Sequence, residues 1–313
     1  MNGETTRGDD ASRTERAQAQ AETVTIGFML TRFNLRIKEW IGKYGSKWRG
    51  ADEDYLSRRM ELFEKYTLPS MMAQTEKCPW LVFLSELTPP EFRRRFDELH
   101  RRFPELTPVY LADREPMSEH EGMNEAMRNE VLSRCGENVK RVVTMRIDSD
   151  DAIHPDYCKT VMSAANADEG EATLIVLPTG CAYNERRRIL QRWVNPKNHF
   201  TALACARRGF RHIFSFSHMK MPKDCGRIEL PLENAWLEIV HGSNAVNFFR
   251  WWNRPIVFGG DKIASQFGVK LDISRTRGAV HYLFVYLPVL PIRVLRRFGK
   301  AMKRRLRKVG NRT

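Results

Sequence analysis

The chain has 313 residues, 42% of them hydrophobic and 10% aromatic, enough for one large α/β domain or two modest ones with most apolar surface buried. The formal net charge is +14, but residues 293–313 hold ten Lys or Arg and no acid; the excess belongs largely to that tail and is not evidence for a nucleic-acid fold. The six cysteines are scattered with no C-x-x-C pair, which excludes the usual zinc and redox spacings and predicts reduced thiols, and no run reaches the ~18 apolar residues of a spanning helix.

In chain order, residues 1–22 are polar and lack the apolar stretch of a secretory signal, so a disordered lead-in is expected. "VTIGFML" (24–30) is a buried-strand pattern. "DEDYLSRRMELFEKYTLPSMMAQ" places Leu56, Met60, Phe63 and Leu68 near helical spacing. "WLVFLSE" (80–86) reads as a second strand. "PPEFRRRFDELHRRF" reads as an amphipathic helix on Phe92, Phe96, Leu99 and Phe103, with prolines at its start. "TPVYLAD" (107–113), then the helix "MNEAMRNEVLSRC", then "RVVTMRI" (141–147) follow. This alternation predicts an α/β fold with a Rossmann-type, mostly parallel sheet flanked by helices and ligands at the carboxyl ends of its strands. The second half is less regular. "ATLIVLP" reads as a strand, "CAYNERRRILQRWV" as a long hairpin arm, and "RHIFSF" and "AWLEIV" as further strands.

The fourth strand runs into Asp148, Ser149, Asp150 and Asp151. Residues two apart in a strand point the same way, so Asp148 and Asp150 are expected on one side. Like charges this close repel, and a hard divalent cation among them resolves the repulsion. Mg²⁺ takes one or two protein carboxylates and shares its other positions with water and phosphate oxygens, so an acidic pair after a buried strand suits a diphosphate. The competing reading is a loop in which Asp151 or Asp156 caps the helix near "HPDYCKTVMSAA".

"RIDSDDAIHPDY", together with "GFMLTRFNL", "YLSRRMELFEKYTLPSMMAQT" and "WLEIVHGSN", resembles the bacterial rhamnosyltransferase family of GT-A-type glycosyltransferases, over roughly residues 24–244. The resemblance implies a GT-A-like fold, a nucleotide-sugar donor and Mn²⁺ or Mg²⁺. The metal ligands would be Asp148, Asp150 and Asp151, with the late His241. The catalytic set would be Asp150, Asp148 and His218, the last as acceptor-side group or base. The first-strand loop would cradle the nucleotide, with Arg32 on phosphate, Phe33 stacked on the base and Asn34 on base or ribose; the alternative is a solvated Arg beside a core Phe. Arg58 or Arg59 would reach the diphosphate, Asp113 the base or ribose unless it caps a loop, and Arg146 phosphate or an Asp. Ser243 and Asn244 would touch donor phosphates. Asp224, Glu229, Glu233 and Glu238 all stand as possible bases.

The expected organisation is the lead-in 1–22, a glycosyltransferase domain 23–278 (nucleotide-binding half about 23–155, acceptor half about 156–278), and an apolar then basic tail 279–313. Leu295, Phe298, Met302, Leu306 and Val309 are spaced as one helical stripe among cations, which suits an anionic membrane surface. A cytoplasmic enzyme, peripheral at the inner membrane face and acting on a glycan or lipid-linked acceptor, follows. Nucleic acid is not an expected partner of such an enzyme. A non-catalytic binding protein docked through the tail on membrane or RNA is the alternative. A nucleotidyltransferase would show a Gly-rich phosphate loop near the first strand, which "GFMLTRFNL" lacks.

Overall fold

The run "VTIGFMLTR" forms β1 (Val24–Arg32), whose centre is fully buried. Burial on both faces suits an interior strand of a parallel sheet, and β1 pairs in parallel with β2 (Trp80–Ser85) and with β4 (Val139–Arg146). β3 (Leu106–Leu111) extends the sheet in parallel beside β2. The structure is a computed structural model, and its described residues are 24–44, 52–119, 121–216, 222, 224–242 and 254–292. Residues 1–22, His218, Ser243, Asn244 and the tail 293–313 lie outside them.

Beyond β4 the sheet continues with β9 (Thr201–Ala206), β6 (Ala172–Val176) and β10 (Gly226–Glu229), giving the order β10-β6-β9-β4-β1-β2-β3. β9 runs antiparallel to both neighbours, and every other pairing in this sheet is parallel. A smaller sheet, β5-β11-β7-β8, packs beside it. It comprises β5 (Ala152–Ile153), β7 (Thr179–Asn184), β8 (Ile189–Val194) and β11 (Trp236–Val240). The expected mostly parallel α/β sheet is therefore present, and β7–β8 is the expected antiparallel hairpin.

Helices cover the large sheet through periodic apolar faces. Pro90–Arg102 buries Phe92, Phe96 and Leu99, and Gly122–Leu132 buries Met123, Met127 and Val131, the i, i+4, i+8 spacing of one helical stripe. The helix Glu53–Leu62 starts on an Asp52 side chain that accepts from the Tyr55 N–H. It runs through a π-helical turn, Phe63–Thr67, into Leu68–Met72. This long element braces the acidic loop: Thr67 Oγ1 reaches Asp148 O at 3.4 Å, and Gln74 Nε2 donates to His154 O at 2.8 Å.

Two elements differ from the sequence reading. "RHIFSF" is a 3₁₀ turn, Ile213–Ser215, rather than a strand. His212 Nδ1 accepts from Phe214 N, and Ser215 Oγ accepts from His212 N, and this local cap outcompetes strand pairing. The segment "TALACA" is β9, a strand the pattern did not reveal. Among the described residues no helix is long and apolar enough to cross a membrane.

Candidate metal and donor site

β1 ends at Arg32 and β4 at Arg146, side by side at the carboxyl edge of the large sheet. Ile147 N still donates to Leu30 O at 3.2 Å, and Thr31 Oγ1 donates to Ile147 O at 3.0 Å. Beyond that the chain turns, with Asp151 N donating to Asp148 O at 3.3 Å. The turn ends strand alternation. Asp148 and Asp151 therefore share a side, in place of the expected Asp148 and Asp150.

A third residue joins them. His199 Nε2 is 2.9 Å from Asp151 Oδ2 and 3.8 Å from Asp148 Oδ2. One ligand atom from each of Asp148, Asp151 and His199 lies within 4.8 Å of the others. Asp150 turns elsewhere, its Oδ2 2.8 Å from His241 Nε2. Two of the expected metal ligands thus pair with each other beside the cluster rather than in it. His199 escaped the sequence reading because it precedes β9. An antiparallel strand brings its amino end to the edge where parallel strands bring their carboxyl ends, so recognising β9 was the signal that pointed to it.

Charge in the loop is closely managed. Arg146 donates to both carboxylate oxygens of Asp148, at 3.1 and 3.2 Å. Burial pushes the Asp148 carboxyl up, but Arg146, His199 and Arg32 hold it well below the usual carboxylate range. Asp151 is 1% exposed, and burial with the Asp150 and Asp148 charges pushes its carboxyl well up. Its Oδ1 accepts from Ile239 N at 2.8 Å. Burial lowers the His199 pKa against the raising field of Asp148.

Two carboxylates suit Mn²⁺ or Mg²⁺, and the imidazole shifts the set toward Mn²⁺, the softer of the two. In the same turn, the buried Ser149 Oγ has no hydrogen-bond partner. The donor set fits a divalent ion held by Asp148, Asp151 and His199. Beside it, Glu238 on β11 is buried, with Oε2 lacking a hydrogen-bond partner. Burial pushes its carboxyl up to about 7, with His199 opposing and Asp151 adding.

The remaining expected contacts fall into place differently. Arg32 pairs with Glu119 at 2.6 Å, and its guanidinium and that of Arg146 both lie on the Phe214 ring, at 4.3 and 4.8 Å. Phe33 is 2% exposed and packs edge-on against Phe63 and Phe96, so the ring expected on a base belongs to the core. Asn34 is also buried, donating to Thr88 Oγ1 and accepting from Ser85 N. Asp113, fully buried, accepts from Ser85 Oγ, Glu86 N and Arg36 N; it organises loops rather than facing solvent. Arg58 pairs with Glu61 and Glu185. Its neighbour Arg59 instead feels Asp150 and Asp148, and its buried Nε has no hydrogen-bond partner. Of the four acids named as bases, Asp224 and Glu229 are exposed in ion pairs with Arg211 and Arg227, and Glu233 is exposed.

The model of the family described as "Putative rhamnosyl transferase" matches residues 47–249. Among solved structures, three crystal structures of S. aureus TarS 1-349 are similar. The complex with UDP-GlcNAc matches at 12% identity over 86% of this chain and 78% of that one, with a TM-score of 0.36. A further structure of TarS 1-349 matches at 10% identity over 83% of this chain and 72% of that one, with a TM-score of 0.35. The complex with UDP matches at 16% identity over 49% of this chain and only 36% of that one, with a TM-score of 0.29. No curated protein matches the chain.

Proposed function

This chain belongs to the family described as "Putative rhamnosyl transferase", and we propose that it is a metal-dependent glycosyltransferase that moves a sugar from a nucleotide-sugar donor to a glycan or lipid-linked acceptor. The observation that carries the reading is the convergence of Asp148, Asp151 and His199 within 4.8 Å at the carboxyl edge of a mostly parallel sheet, where such folds take ligands. The transferred sugar in this reading is rhamnose or a related hexose, as the family description suggests.

Mn²⁺ or Mg²⁺, when bound, would supply charge neutralisation for the departing nucleoside diphosphate. Asp148, Asp151 and His199 would hold the ion, and the Asp150–His241 pair stands next to them. Arg146 and Arg59 add fixed positive field at the same loop, where negative charge develops on the leaving group. The acceptor hydroxyl oxygen bonds to the anomeric carbon as the bond from that carbon to the diphosphate breaks, and the hydroxyl proton passes to a base. Glu238 is our assignment for that base: it alone among the four carboxylates is buried beside the cluster, and a general base has to stand within reach of the acceptor hydroxyl.

The test is a panel of nucleotide sugars, UDP-GlcNAc and rhamnosyl nucleotides included, with Mn²⁺ or Mg²⁺. Asp148→Ala and His199→Ala should each lower Mn²⁺ affinity at least tenfold in calorimetry and abolish donor turnover, while the fold stays cooperative. Variants that keep wild-type Mn²⁺ affinity and turnover would overturn the assignment. Mn²⁺ binding without turnover of any donor would instead favour the non-catalytic binding protein.

A further inference from the structure

A cavity of about 730 Å³ abuts the acidic loop. His241 lines it, and the same imidazole is 2.8 Å from Asp150 Oδ2. Three arginines contribute to its lining. Arg186 and Arg187 stand in the turn between β7 and β8, and Arg277 stands on the helix Arg275–His281. Arg277 Nη1 donates to Arg186 O at 3.3 Å, tying the helix to the turn. Among the described residues no Asp or Glu lines the cavity. Of the acids close in sequence to the lining, Glu185 is engaged with Arg58, Lys65 and Tyr66 and Asp272 with Arg188, and Glu238, two residues before Val240, is buried on β11.

The lining also includes the apolar Val240, Val280 and Val285. Apolar surface continues outward along the same segment, where Val280 is 52%, Leu283 54% and Phe284 75% exposed. A positive field and apolar side chains in one cavity select a ligand with both characters. Arginine forks match phosphate oxygens bidentately, and an alkyl chain removes apolar lining from water. A neutral glycan uses only part of this lining, and so does inorganic phosphate.

We propose that this cavity receives the acceptor, and that the acceptor is an amphiphile in which a phosphate or diphosphate joins the receiving group to an apolar chain. The inference rests on the glycosyltransferase reading and narrows its acceptor to an anionic lipid conjugate. The phosphate lies against Arg186, Arg187 and Arg277, and the chain leaves along Val280 and Leu283.

Binding of dodecyl phosphate to the full chain tests this, with dodecyl maltoside and inorganic phosphate as comparison ligands and both detergents kept below micelle formation. Dodecyl phosphate should bind at least tenfold more tightly than either comparison ligand. Arg187→Glu combined with Arg277→Glu should weaken it at least tenfold, and Val280→Asp should weaken it separately. The ten cations of residues 293–313 are common to the wild type and the variants, so the differences between those proteins report on the cavity. Unchanged dodecyl phosphate binding in the double variant would overturn the proposal, as would equal binding of the maltoside or of phosphate alone. Mn²⁺ affinity is measured on the same samples. If it persists while the amphiphile fails, the acceptor inference falls alone; if the wild type binds no Mn²⁺, the glycosyltransferase reading falls with it.

Discussion

His199 and His212 are both buried imidazoles, and burial pushes both toward the neutral form. His199 meets two carboxylates, whereas His212 meets only backbone. Its Nε2 donates to Asn124 O at 3.0 Å and its Nδ1 accepts from Phe214 N at 3.2 Å. Burial first, then the Arg32 and Arg128 charges, lower the His212 pKa from 6.5 to about 4. The sign follows directly. Below pH 6.5 the unfolded chain binds a proton that the folded chain refuses, so stability falls as pH drops from 6.5 through 4. By pH 5 the loss from this residue is about 2 kcal/mol. Urea denaturation at pH 7 and pH 5 should show that loss in the wild type and not in His212→Asn, whose side-chain oxygen can still accept at the cap. Equal pH dependence in the two proteins would remove His212 from the account.

At the scale of elements, the first half of the chain was largely legible because its strands are buried apolar runs and its helices carry clean periodic stripes. Phe92, Phe96 and Leu99 show it best. β9 was not legible. "TALACA" is short and rich in small residues, and its strand state comes from being clamped between β4 and β6. With β9 unseen, His199 had no place in the site, although the acidic loop did. Phe33 and Asp113, for which a core ring and a loop cap were the alternatives, and Asn34 are all buried, and the sequence did not decide this for a related reason. Position after a strand indicates proximity to the edge, but not whether a side chain faces ligand or core. β7 and β11 show how tightly the second sheet is fitted. A Cβ on Gly180 would lie 2.1 Å from Trp236 Cδ2. That indole has no room to yield, stacked on Phe200 at 5.1 Å, edge-on to Trp193 and donating to Leu177 O. Gly180→Ala should therefore destabilise by about 3 kcal/mol, the upper end of ordinary overpacking. A thermal or urea midpoint close to wild type would contradict this packing.

For the whole molecule, charge and apolar exposure gather at the carboxyl-terminal end. Residues 293–313 supply ten of the cations behind the +14, and the segment just before them exposes Phe284 and Ile292. We propose that this end holds the protein on an anionic membrane surface, since each cation near such a surface contributes about 1 kcal/mol. The full chain should float with anionic vesicles at low salt and detach as salt is raised. A chain ending at Ile292 should remain with the soluble fraction. Equal flotation of the two chains would exclude the tail as the anchor.

The two anchors of Asp151 also set an order of events during synthesis. His199 comes 48 residues after Asp151 in the chain, and the Ile239 N–H comes 88 residues after it. A ribosome adding about 5–20 residues per second takes roughly 4–18 s to make the longer interval. Through that time the acidic loop has emerged without the imidazole and the backbone donor that let Asp151 sit inside the protein. The parallel strands β1–β4 can associate earlier, since all four precede the loop. The acidic loop can close only once β9 and β11 have been delivered, and a nascent chain stalled before residue 199 carries the carboxylates without the imidazole that joins them.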